Sequence, residues 1–141
     1  MANTGDFSNT YTLTSSDNLF EFLKARGLPD DMAADYASAK PTMILSKKGD
    51  QFSMRRVFVD DPNKSHDVRF ELNKPFEEIR PNGPTIKSIV VAGDGKQLIQ
   101  TQTGDRDVVR IVYDFNGKDL LSNATIIGTG ISTKGVFTRV E

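Results

Sequence analysis

The run Asn18-Leu19-Phe20-Glu21-Phe22-Leu23-Lys24-Ala25-Arg26-Gly27 and its continuation Leu28-Pro29-Asp30-Asp31 decide the fold. Leu19, Phe22 and Leu23 stand at i, i+3 and i+4, so they form one apolar stripe on a short helix. Ser16 or Asp17 supplies an N-cap oxygen, and Gly27 stops the helix with Lys24 and Arg26 in its last turn. Pro29, Asp30 and Asp31 are start signals for a second helix, on which Met32 and Tyr36 are i, i+4 neighbours. Pro41 bars its continuation, so the helix pair ends near residue 39.

On either side the periodicity changes from helical to alternating. Before the helices, Phe7 to Thr14 reads as a strand. After them come expected strands over 42–47, 52–59, 67–72, 76–80, 85–91, 97–103, 108–115, 120–127 and 136–140. They are punctuated by Lys48-Gly49-Asp50, Asp60-Asp61-Pro62-Asn63-Lys64, Pro81-Asn82-Gly83-Pro84, Gly93-Asp94-Gly95 and Gly104-Asp105. Asn116-Gly117 is the strongest hairpin signal in the chain. One strand, two short helices and about nine further strands predict an all-β barrel or sandwich.

The 141 residues suit one domain spanning 1–141, long enough to bury a core without staples. The formal charge of −1 argues against a nucleic-acid partner, and the absence of cysteine rules out disulfide and thiolate chemistry. The N-terminus lacks the apolar run of a signal peptide, and no run reaches the about 18 apolar residues of a membrane span, so a cytoplasmic location is expected. A monomer is the default expectation, which no sequence feature decides. His66 is the single histidine, so a multi-histidine metal site is impossible, and no nucleophile elbow, P-loop or dinucleotide fingerprint appears. No enzyme activity, metal or cofactor is therefore expected.

Several segments in order resemble one family. Phe7-x-x-Thr10-Tyr11 resembles an opening Phe-x-Gly-Thr-Trp/Tyr, with Asn9 where glycine is usual, and Asn18 to Leu28 resembles the first helix with its closing Gly-aliphatic pair. Lys40-Pro41-Thr42-Met43-Ile44, Lys48-Gly49-Asp50, Phe70-Glu71-Leu72, Phe76-Glu77-Glu78, Ile86-Lys87-Ser88-Ile89-Val90 and Phe115-Asn116-Gly117-Lys118 match later strands and turns. This succession is similar to the intracellular lipid-binding proteins, the cytosolic fatty-acid-binding and retinoid-binding group of the calycin type. The resemblance implies a ten-stranded up-and-down antiparallel barrel with a helix-turn-helix lid between the first and second strands. It implies a carrier that buries a fatty acid or similar apolar molecule in the barrel. Two other outcomes are a neutral ligand, such as a pigment or retinol-like molecule, and a non-carrier interaction module.

Within this family the resemblance implies an inward arginine before the Asn-Gly turn and a C-terminal Arg-x-Tyr. Arginine suits carboxylate binding because its planar fork pairs bidentately and stays charged. Arg139 matches the C-terminal arginine, but Glu141 replaces the tyrosine, so an Arg139–Glu141 pair is the competing reading. Arg110 lies on the right strand but seven residues before Gly117, sharing a face with Val112 and Asp114. The other face, Val109, Ile111, Tyr113 and Phe115, is wholly apolar, so with that face inward Arg110 points to water and Tyr113 is the better cavity residue. The Tyr113 hydroxyl is then expected either to reach toward Arg139 or, in a core tyrosine, to be satisfied by backbone. Leu19, Phe22 and Leu23, with Tyr36 on the second helix and Phe58 before a portal-like turn, are the expected mouth residues. Lys24, Arg26, Lys47 and Lys48 offer transient contact with anionic membrane, or simply a solvated face.

Overall fold

A computed structural model of the chain describes residues 8–58, 66–79, 85–94 and 96–140. The expected strand start at Phe7, the turns over 60–64 and 81–84, Gly95 and the terminal Glu141 lie outside these residues.

The order is β1 (Thr10–Asp17), α1 (Leu19–Ala25), α2 (Asp30–Ser38), β2 (Thr42–Lys48), β3 (Gln51–Val57), β4 (His66–Phe70), β5 (Phe76–Ile79), β6 (Thr85–Ala92), β7 (Gln97–Thr103), β8 (Val108–Asn116), β9 (Asp119–Ile126) and β10 (Ile131–Arg139). All ten strands join one antiparallel sheet in the order β4-β3-β2-β1-β10-β9-β8-β7-β6-β5. The sheet curls until its end strands β4 and β5 face each other without a hydrogen-bonded ladder. Side chains bridge that gap instead. Phe70 and Phe76 stack with centroids 5.6 Å apart, and His66 Nε2 meets Glu78 Oε1 at 3.3 Å. The exposed backbone of an edge strand is a pairing hazard, and near-closure removes most of it.

The helices enter where β1 lets go of β2. β1 pairs β2 only over Thr10 to Thr12, then continues along β10 past an irregularity between Leu13 and Ser15. Because β1 runs through Asp17, neither Ser16 nor Asp17 caps α1. The cap position is Asn18, in the left-handed region at φ 63°, and its Nδ2 donates to Ser132 O at 3.0 Å. Gly27 ends the turn at φ 101°, a conformation that disfavours a β-carbon. α2 starts after Pro29 with Asp30 and Asp31 in its first turn, as the sequence implies.

The last strand starts five residues earlier than expected. Ser132, Thr133, Lys134 and Gly135 show no apolar alternation, yet their backbone pairs in register with Thr125 to Ser122. Gly128 and Gly130 supply the positive φ angles of the turn before it.

Alternation divides the interior. At the hairpin end, Tyr11, Leu45, Phe52, Phe70, Val90, Leu98, Leu120 and Phe137 form a packed floor. At the helix end, Phe22, Leu19 and Leu23 pack on Val109, Ala124, Ile126 and Ile131. Among the described residues no helix is long and apolar enough to cross a membrane.

Candidate functional site

Between floor and lid lies a cavity of about 230 Å³. A water needs about 10–15 Å³ counted this way, so the space is many times larger than the gaps of a packed core. Its apolar wall includes Leu13, Met43, Met54, Val68, Val109, Ile111 and Phe137. The lid side is lined by Leu19, Phe22, Leu23, Tyr36 and Phe58. Phe58 is buried directly after β3 and meets Tyr36 edge-on, with centroids 5.5 Å apart.

The opposite wall is polar and buried. Glu78, on β5, is only 4% exposed. Its Oε2 accepts from Gln100 Nε2 at 2.8 Å, from Gln102 Nε2 at 3.0 Å and from the Ser88 hydroxyl, while Oε1 meets His66. Burial pushes the Glu78 pKa up. Hydrogen bonds from His66, Ser88 and Gln102, with the charge of His66, outweigh it and hold the carboxyl below its ordinary 4.5. Ser88 and His66 both bond this carboxylate; neither hands its proton to the other as a nucleophile–base pair would.

The network extends both ways from Glu78. The Tyr113 hydroxyl donates to Gln100 Oε1 at 3.0 Å. Arg26 Nη1 donates to Gln102 Oε1 at 3.3 Å. The Arg26 guanidinium also grips Asp107 through Nε to Oδ2 at 3.2 Å and Nη2 to Oδ1 at 3.4 Å, with both side chains about nine-tenths buried. This pair ties the end of α1 to the β7–β8 turn.

One cation on the wall is not engaged. Arg56 lies on the inward face of β3 with Phe52 and Met54, between Met43 and His66 on the neighbouring strands. Its Nε is buried and has no hydrogen-bond partner among the described residues. Among the described residues Arg56 makes no ion pair.

The structure therefore brings together Tyr113, Leu19, Phe22, Leu23, Tyr36 and Phe58 around the cavity, but not the two arginines singled out from sequence. Arg110 is exposed on the outer face of β8, because Val109 and Tyr113 take the inward parity. Arg139 is half-buried beyond Phe137, opposite Tyr11 at the floor end, and is not among the lining residues. Tyr113 bonds Gln100 rather than Arg139. The four cations considered for membrane contact do not form one patch. Arg26 is buried against Asp107, whereas Lys47 and Lys48 sit at the β2–β3 hairpin, at the opposite end from the lid. Glu78, Gln100, Gln102 and Arg56 were not read from sequence as site residues. Their signal is parity: each shares the inward face of its strand with an apolar neighbour, Phe76, Leu98 or Met54.

No family model matches the chain. It is 31% identical over 121 residues to the fatty acid-binding protein of Tyrophagus putrescentiae, covering 86% of this chain and 89% of that protein. It is 29% identical over 123 residues to the fatty acid-binding protein of Lepidoglyphus destructor, covering 87% and 91%. In three dimensions it is similar to a Schistosoma mansoni fatty acid binding protein solved in complex with arachidonic acid. The TM-score is 0.89 at 19% identity, over 99% of this chain and all of that one.

Proposed function

Since the chain belongs to the fatty acid-binding protein family, we propose that it carries a fatty acid, or an apolar molecule of similar shape, inside its barrel. The observation that supports this most directly is the hollow between floor and lid, apolar on one side and polar on the other. Burying an acyl chain there gains about 0.8 kcal/mol per CH₂. In this reading Leu19, Phe22, Leu23, Tyr36, Phe58 and the ring of Tyr113 contact the tail, and no bond is made or broken. A cytoplasmic location is part of the proposal, and a chain without cysteine is compatible with a reducing compartment.

A neutral ligand is the second reading. It draws on the buried negative charge of Glu78, which repels a second carboxylate placed beside it. Native mass spectrometry of protein purified from its own source tests both. An added mass of one fatty acid supports the first reading, and a pigment or neutral lipid supports the second. A chain that arrives empty and fails a panel of lipid titrations refutes the carrier proposal.

A further inference from the structure

We propose that Arg56 is the anchor for an anionic head group, so that the ligand sits with its carboxylate at the lid end of the barrel and its tail directed away from it. The proposal rests on the carrier reading and specifies the orientation and charge of what is carried.

Elimination among the cations of the cavity wall leaves Arg56. Among the described residues, the positively charged side chains lining the cavity are Arg26, Arg55, Arg56 and Lys134, with His66 able to join them when protonated. Arg26 is held bidentately by Asp107. His66 already faces Glu78. Arg55 and Lys134 are exposed on the outward parity of their strands. Of these described cations, Arg56 is the one that points inward with a buried Nε that no described residue satisfies. A buried guanidinium nitrogen without an acceptor is costly, and a carboxylate is the acceptor its planar fork fits.

The register fixes where that acceptor sits. Arg56 stands opposite Met43 on β2 and His66 at the start of β4. β2 begins shortly after α2 ends, so this is the helix end of the barrel. Phe58, two residues on, contacts Tyr36 of α2. The head group would therefore lie just under the lid, and the apolar wall of Leu13, Val109, Ile111 and Phe137 remains for the tail. The other polar groups are poor substitutes. The Tyr113 proton goes to Gln100, and the Gln100 and Gln102 amides already serve Glu78.

The test compares dodecanoate with 1-dodecanol by isothermal titration of delipidated protein. Arg56→Gln is expected to weaken dodecanoate about 10- to 100-fold, the loss of one charge-assisted pair, and to leave dodecanol within about two-fold. Arg56→Lys should fall between, and Arg110→Gln, on the outer face, should change neither. Dodecanol binding doubles as the check that the variants fold. Stearate spin-labelled near its carboxyl should broaden the amide resonances of Val57 and His66 more than those of Leu45 and Leu120. The inference is overturned if Arg56→Gln weakens acid and alcohol equally or neither, if Arg139→Gln carries the loss instead, or if the head-end label broadens the floor. If the unmodified protein binds neither compound, the carrier reading itself fails.

Discussion

Glu78 is the residue on which the polar wall turns, and replacing it separates charge from shape. Three donors converge on Oε2, from Ser88, Gln100 and Gln102, and His66 meets Oε1. Glu78→Leu removes every acceptor and leaves three buried donors unsatisfied, at about 1–3 kcal/mol each. Relief of the buried charge returns several kcal/mol of that. The net expected loss is about 1–5 kcal/mol. Glu78→Gln keeps one oxygen for the same donors but changes three bonds from a charged to a neutral acceptor, about 1 kcal/mol each. Hydrogen bonds and the charge of His66 together outweigh burial at this carboxyl, so a net loss remains, smaller than the about 3 kcal/mol of the three bonds. Urea denaturation at pH 7 measures both. The pH dependence has a definite sign. A carboxyl whose native pKa lies below its unfolded value stabilises fully above the ordinary 4.5. That stabilisation disappears as pH falls through the native value. The gap between wild type and Glu78→Gln should therefore be constant near neutrality and close in acid. A glutamine variant as stable as wild type at pH 7, or a gap that widens in acid, would refute the reasoning.

Three further outcomes are expected. Arg26→Leu should destabilise by about 2–4 kcal/mol, because it strands Asp107 in a site where that carboxylate is 11% exposed. The double variant Arg26→Leu/Asp107→Leu should cost less than the two single losses combined, and additive losses in a double-mutant cycle by urea denaturation would show that the pair is not coupled. Gly27→Ala should lose about 1–3 kcal/mol in thermal unfolding, since a φ of 101° strains any β-carbon and the added methyl would press on the Arg106 guanidinium at 2.7 Å. Tyr113→Phe should lose about 1–2 kcal/mol of stability by stranding Gln100 Oε1, yet change dodecanoate affinity by less than about three-fold. An affinity loss without a stability loss would make the hydroxyl a head-group ligand.

Most of the fold was legible because its signals are local. Pro29 and Asp30 opened α2, Gly27 closed α1, and apolar alternation placed β6, β7 and β8 within a residue or two. The failures occurred where a partner supplied the structure. Ser132 to Gly135 carry no alternating pattern and are strand only because Ser122 to Thr125 offer them a ladder. Asn18 looked helical, yet it stands in the left-handed region before α1, and its side chain reaches Ser132, 114 residues away. No window around either segment contains that information.

The site was less legible than the fold for a related reason. Reading from the C-terminal motif favoured Arg139, whose parity is inward like that of Phe137, but parity says nothing of height along the strand. At the floor end, Arg139 stands beside Tyr11, where side chains are packed. Height is set by pairing, and pairing places Arg56 beneath the lid. The same consideration explains why Glu78, Gln100 and Gln102 are tolerated inside. They occupy inward positions on β5 and β7, near the helix end, where the barrel is hollow. There they bond one another, whereas Phe70 and Phe76, on β4 and β5 at the hairpin end, fill their space with stacked rings. A polar residue at inward parity is costly in a packed layer and useful beside a cavity. Inward parity combined with ladder height, rather than motif, is therefore the reading that separates the groups facing a ligand from those facing the core.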